Sequence, residues 1–121
     1  MKKMRKMAAA LAVLVMAGGA AMEIGTVNAS ASSQSGKVSW YNVTGKTTAS
    51  GKKGTATTAA HKTIAFNTKV SVKNNSNGKT TKVVILDRGP FVTGRILDMS
   101  KESFSKVASL SAGLFNGTIT W

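Results

Sequence analysis

An alternating run and a continuously apolar run facing each other across a turn set the strongest limit on how this chain folds. Thr68-Lys69-Val70-Ser71-Val72-Lys73 alternates polar and apolar at period two, which puts Val70 and Val72 on one face of a strand. Asn74-Asn75-Ser76-Asn77-Gly78 follows and ends on the Asn-Gly pair of a tight hairpin turn. The return run, Thr80 to Leu86, has the continuous apolar centre Val83-Val84-Ile85-Leu86, the pattern of a strand covered on both faces. Lys37-Val38-Ser39-Trp40-Tyr41 and Thr118-Ile119-Thr120-Trp121 alternate in the same way and add strands on either side. Residues 32–36 read as a polar lead-in, residues 42–58 as a long Thr/Gly/Lys/Ser loop, and Asn116-Gly117 as a second turn. Thr58-Ala59-Ala60-His61 is too short to assign. Ser100 suits the N-cap of a helix of about ten residues, Lys101 to Leu110, with Phe104, Val107 and Ala108 on one face and Gly113 beyond its end.

The first 31 residues have a different character. Met1-Lys2-Lys3-Met4-Arg5-Lys6 is basic, and Met7 to Ala21 is apolar over about 15 residues, short for a membrane span. Ala29-Ser30-Ala31 fits a leader cleavage site, with Gly19-Ala20-Ala21 as the alternative. Residues 1–31 are therefore expected to be a signal peptide and 32–121 a secreted domain of roughly ninety residues, touching a membrane only through the leader before cleavage. The sequence contains no cysteine, so the domain must hold together without disulfides. A closed barrel, which has no open edges, is one way to do so. The expected fold is mainly β, with Val70, Val72, Val84 and Ile119 inside the barrel.

Outside the leader, thirteen basic residues stand against Asp87, Asp98 and Glu102, a net charge near +10. Such an excess favours an anionic partner. Nucleic acid is set aside, because the lysines are scattered singly and not interleaved with aromatics. The anionic glycopolymers and peptide carboxylates of a bacterial wall fit a secreted basic domain better. A merely solvated surface is the plain alternative.

Chemistry concentrates in Leu86 to Ser100. This stretch holds two of the four carboxylates, the only proline and the only two arginines outside the leader. One histidine and no cysteine leave no zinc site of His and Cys ligands. Gly45-Lys46-Thr47-Thr48 and Gly78-Lys79-Thr80-Thr81 lack the upstream glycine of a phosphate loop. No metal and no cofactor are expected. What remains is carboxylate chemistry on a glycosidic bond, with Asp87 and Asp98 as candidates and His61 as a polar neighbour. Against this stand plainer roles: a turn anchor for Asp87, a backbone acceptor for Asp98 and a structural histidine.

Ser39-Trp40-Tyr41, Thr48-Ala49-Ser50-Gly51, Thr58-Ala59-Ala60-His61-Lys62-Thr63, Asp87-Arg88-Gly89-Pro90-Phe91 and Gly94-Arg95-Ile96-Leu97-Asp98-Met99-Ser100 together resemble the rare lipoprotein A family. Its members are secreted double-psi β-barrels related to barwin and expansin domains. The resemblance implies a six-stranded double-psi barrel with one or two short helices and a groove for peptidoglycan glycan strands. It implies lytic cleavage in which the sugar's own 6-hydroxyl attacks and leaves a 1,6-anhydro end. By the same resemblance Asp87 and His61 match functionally required residues, and Asp98 matches an Asp shared with expansins. Trp40 and Tyr41 match an aromatic pair; with Arg88 and Arg95 they are the expected substrate contacts. Lys52 stands where active members commonly carry Glu, and Lys53-Gly54-Thr55 replaces a longer loop. Two alternatives follow, a non-catalytic expansin-like module that binds or loosens wall glycan, and a barwin-like protein-interaction or inhibitor domain. A monomer is expected in each case.

Overall fold

Alternation of Val and Ile with polar residues builds six strands whose apolar faces meet in one interior. A computed structural model describes residues 31–121; the leader expected over 1–31 lies outside the described residues except for Ala31. The strands are β1 (Ser33–Tyr41), β2 (Thr58–Ala60), β3 (Lys69–Asn74), β4 (Thr80–Asp87), β5 (Arg95–Ser100) and β6 (Leu114–Thr120). A helix α1 (Lys101–Phe104) and a 3-10 turn (Leu110–Ala112) lie between β5 and β6. The barrel closes in the order β1-β5-β2-β4-β3-β6. β1 and β5 run parallel, as do β2 and β4. Every strand has two neighbours, so no row of backbone groups is left open at an edge. Val38, Val70, Val72, Val83, Ile85, Leu97, Met99, Phe104 and Ile119 are buried together inside.

The hairpin stands as the sequence predicts. Val70 pairs with Val83, and the turn closes with Gly78 N–H donating to the Asn74 carbonyl at 2.8 Å. Val70, Val72 and Ile119 are inside, but Val84 is not. It is half-buried on the outer side, across from Lys69, while Val83 takes the interior place. A continuous apolar run does not reveal its own phase; the partner strand sets it.

Three boundaries also move. β1 starts at Ser33 rather than Lys37, because Ser33 to Gly36 pair with Thr120 to Gly117 of β6. Asn116-Gly117 is consequently strand, not turn. A Cβ on Gly117 would sit 2.8 Å from the Phe115 ring, 3.0 Å from the Lys73 carbonyl oxygen and 3.0 Å from Val38, so the glycine serves a close approach of strands. The helix is four residues rather than ten. Ser100 caps it as predicted, its hydroxyl accepting from Ser103 N–H at 3.2 Å, and Phe104 and Val107 are buried. The Val107 carbonyl accepts from the side chains of both Asn74 and Asn77 at 2.9 Å, which ties this segment to the hairpin turn in place of a continuing helix.

Candidate active site

β2 lies between β5 and β4, and its last residue links the two carboxylates. Ala60 pairs with Asp98 on one side and with Asp87 on the other. Two strand spacings separate the acids, so their backbones are about 10 Å apart. On β5, Leu97 and Met99 point inward, and Asp98 between them points out. On β4, Val83 and Ile85 point inward, and unbroken alternation would send Asp87 inward too. The register slips between Ala59 and Ala60, which face Ile85 and Asp87 respectively and skip Leu86. This bulge re-aims Asp87 toward the outer face.

The contacts of Asp87 fit that orientation. Its Oδ2 accepts from the Tyr41 hydroxyl at 2.8 Å, and its Oδ1 accepts from Ala49 N–H at 2.9 Å and Arg88 N–H at 3.0 Å. Tyr41 lies two residues beyond Ser39 on β1, and the Ser39 hydroxyl donates to Asp98 Oδ1. Ser39, Tyr41, Asp87 and Asp98 thus form one outer cluster. Burial, then the hydrogen bond to Asp87, then the charges of Asp87 and Asp98 push the Tyr41 hydroxyl far above its ordinary range. It stays a donor at any working pH.

His61 is held apart from this cluster. Its backbone N–H donates to the Asp87 carbonyl at 3.2 Å, but its ring makes no hydrogen bond to either acid. Nδ1 accepts from Thr63 N–H at 3.0 Å and Ile64 N–H at 3.1 Å, which leaves Nε2–H to donate to the Gln34 side chain at 2.8 Å. His61 is 5 % exposed, and its ring lies 6.0 Å from the Trp121 ring. Arg88 braces the same turn, donating to the His61 carbonyl at 3.1 Å and the Ile64 carbonyl at 2.7 Å, with its guanidinium 4.0 Å from the Phe66 ring centre.

Burial, followed by the charges of Arg88 and Lys62, lowers the His61 pKa below its usual 6.5. The unfolded chain therefore takes up a proton first as pH falls, so stability is full above about 6.5 and declines below it, down through the folded value. Melting temperature measured from pH 7.5 to 5 should fall for the protein, whereas His61→Asn should show a flatter profile from a lower starting point. Parallel profiles would show that His61 does not titrate between the two states.

The other expected contacts divide. Tyr41 joins the cluster. Trp40 packs against the core, and its Nε1–H donates to the Leu110 carbonyl at 3.1 Å, so its indole supports the 3-10 turn. Arg95 starts β5 beside Lys37, half-buried. Lys52 reaches Asn67 Oδ1 at 3.3 Å rather than Asp87. The loop expected over 42–58 is tied down by bridges from Thr44 to Gly54 and from Thr47 to Lys53, which fix the Ala49 N–H that Asp87 accepts.

Sequence reasoning did not single out Ser39, Ala49 or Gln34. Ser39 carries a signal, since its alternation with buried Val38 marks it as outward-facing on the strand that ends at Tyr41. Ala49 acts through its backbone and Gln34 through a contact 27 residues away, so neither shows in its side-chain type.

Comparison with known proteins agrees with this fold. The double-psi β-barrel family model described as lytic transglycolase matches residues 33–119. The chain belongs to this family. Lytic transglycolase relatives include the endolytic peptidoglycan transglycosylase RlpA of Vibrio cholerae, 42 % identical over 87 residues, or 69 % of this chain and 33 % of the relative. The RlpA of Campylobacter jejuni is 40 % identical over 92 residues, or 73 % of this chain and 34 % of the relative. The chain thus spans about a third of the length of these curated relatives. Among solved structures, the Streptomyces papain inhibitor superposes with a TM-score of 0.59 at 25 % identity, covering 74 % of this chain and 92 % of that one. An apo expansin from Clavibacter michiganensis superposes with a TM-score of 0.61 at 22 % identity, covering 74 % of this chain and 50 % of that one, and shares the fold.

Proposed function

We propose that this domain, acting outside the cell, cleaves peptidoglycan glycan strands as a lytic transglycosylase, with Asp87 as the proton carrier. The observation that carries the reading is the outward cluster in which Asp87 and Asp98 flank Ala60. Carboxylates that act on one glycosidic bond lie within ~10 Å of each other, which suits the strand spacing here. Relatives named as endolytic peptidoglycan transglycosylases support the substrate class. In the proposed reaction the sugar O6 attacks C1 as the glycosidic C1–O4 bond breaks. Asp87 takes the proton from O6 and delivers it to the departing O4, so no water is consumed. Tyr41 and Ala49 hold the Asp87 carboxylate in place, and Asp98, steadied by Ser39, takes hydrogen bonds from sugar hydroxyls. His61 and Arg88 shape the turn behind Asp87.

The test is digestion of purified denuded glycan strands, read by mass spectrometry. Products with 1,6-anhydro ends are expected. Intact strands, or reducing ends without the anhydro ring, overturn the reading.

A second reading is that of a protein inhibitor. It is favoured by Phe91, 80 % exposed, and Val92, 51 % exposed, on the β4–β5 loop, and by the likeness to the Streptomyces papain inhibitor. Titration against papain tests it. Inhibition abolished by Phe91→Ser supports it, and undiminished protease activity overturns it.

A further inference from the structure

A second surface lies on parts of the strands away from the carboxylates. β4, β3, β6 and β1 are consecutive around the barrel, and the outward positions of Thr80 to Lys82 on β4, of β3, of Asn116 to Thr120 on β6 and of Ser33 to Lys37 on β1 carry Lys, Ser, Thr and Asn. Lys69 and Lys73 are exposed on β3, four residues apart, or about 13 Å along the strand. Lys82 on β4 faces Ser71 between them, which puts it diagonal to both at about 7–8 Å. Lys37 on β1, also exposed, continues the charge across β6. Ser71 and Thr118 fill rungs between the lysines.

Nothing acidic answers this charge. Asp87, Asp98 and Glu102, the acids of residues 31–121, take their hydrogen bonds from Tyr41, Ser39, Thr44 and backbone N–H groups, and none from a lysine. Like charges on neighbouring strands repel. An anion laid across them removes that repulsion and releases its own counterions. The charges are strung out rather than gathered round a point, which suits a chain with an anion on each repeat. The outward positions of β3, of β6 and of Thr80 to Val84 on β4 hold no aromatic ring on which a base could stack, and half-buried Val84 and Leu114 are the apolar residues among them. That composition disfavours nucleic acid and a lipid surface, while the hydroxyls suit a polyol.

We infer that this face binds a linear polyol-phosphate polymer, with Lys69, Lys73 and Lys82 on its phosphodiesters. The inference stands apart from cleavage at Asp87. Its test is the affinity of the full chain for purified poly(glycerol phosphate), measured between 50 mM and 300 mM salt. Three phosphate contacts predict a log–log salt slope near −2, and the triple variant Lys69→Gln/Lys73→Gln/Lys82→Gln should lose roughly 30-fold in affinity at the lowest salt together with most of that slope. A control triple variant at exposed Lys46, Lys53 and Lys62 should stay within roughly threefold. Equal losses in the two variants overturn the assignment to this face. Tighter binding of a single-stranded oligonucleotide of equal charge, or of anionic vesicles, overturns the assignment of the polymer. Both variants should melt with the parent protein. Denuded glycan carries no phosphate polymer, so its cleavage by the sheet-face variant reports separately on the Asp87 site.

Discussion

Asp87→Asn should reduce release of 1,6-anhydro products by about 10²–10⁴-fold, the usual contribution of a positioned proton-transfer group. Folding should survive the change. An Asn carbonyl oxygen can replace Oδ1 in accepting from Ala49 N–H and Arg88 N–H, and the Asn amide can donate to the Tyr41 oxygen in place of the bond that Oδ2 accepts. The variant keeps the shape and removes the group that takes up and returns a proton. Single-turnover rates on denuded strands, alongside melting curves and sacculus binding, provide the measurement. Loss of turnover with retained melting and binding is the expected pattern. Retained turnover would move the proton carrier elsewhere. Binding without turnover in the parent protein would leave the non-catalytic wall-binding module as the function of the groove, and the three donors already aimed at Asp87 suit such a sugar-binding acceptor.

The largest effect on stability is expected from Phe104→Ala. Phe104 is the largest of the fully buried side chains and meets the Phe115 ring at 5.1 Å between centroids, tilted by 44°. It ends α1, which follows β5 directly, and belongs to the buried core. Removing a buried ring of this kind costs about 3–5 kcal/mol, part lost transfer energy and part cavity. Total stability of a domain this size is only about 5–15 kcal/mol, and no disulfide restrains the unfolded chain. The melting temperature should drop by roughly 15–30 °C, read by calorimetry or circular dichroism. A drop of less than about 5 °C would mean that the neighbouring side chains collapse into the space.

Much of the barrel was legible in the residues themselves. Val70 and Val72 announce an inward face through strict alternation, and Asn-Gly after Asn74 announces the turn that pairs them with β4. Ser100 announces the helix start. Such signals are local, since a strand's period and a cap's side chain act within a few residues. Charge and the lack of cysteine were equally plain, and the motif segments pointed to the right family.

The errors share a cause. Gly117 looks like a turn glycine next to Asn116, yet it permits β6 to cross close to β3 and β1. Val84 looks like core within its apolar run, yet pairing with Lys69 places it outside. Val107 looks like mid-helix, yet its carbonyl is taken by two asparagines from a turn about thirty residues earlier. In each case the deciding partner is distant in sequence and close in space.

The site divides along the same line. The residue types announced Asp87, Asp98 and His61 as the groups able to carry proton chemistry, because little else in the chain can. Their arrangement came from pairing. One short strand, β2, lies between two longer ones, and its slip opposite Leu86 turns Asp87 outward to meet Tyr41, on the face where Ser39 holds Asp98. Just beyond β2, the turn that follows Ala60 leaves the His61 ring among Gln34, Thr63 and Trp121. A side chain's chemistry belongs to its own atoms, whereas its direction depends on the register of the strands beside it, and barrel closure sets that register.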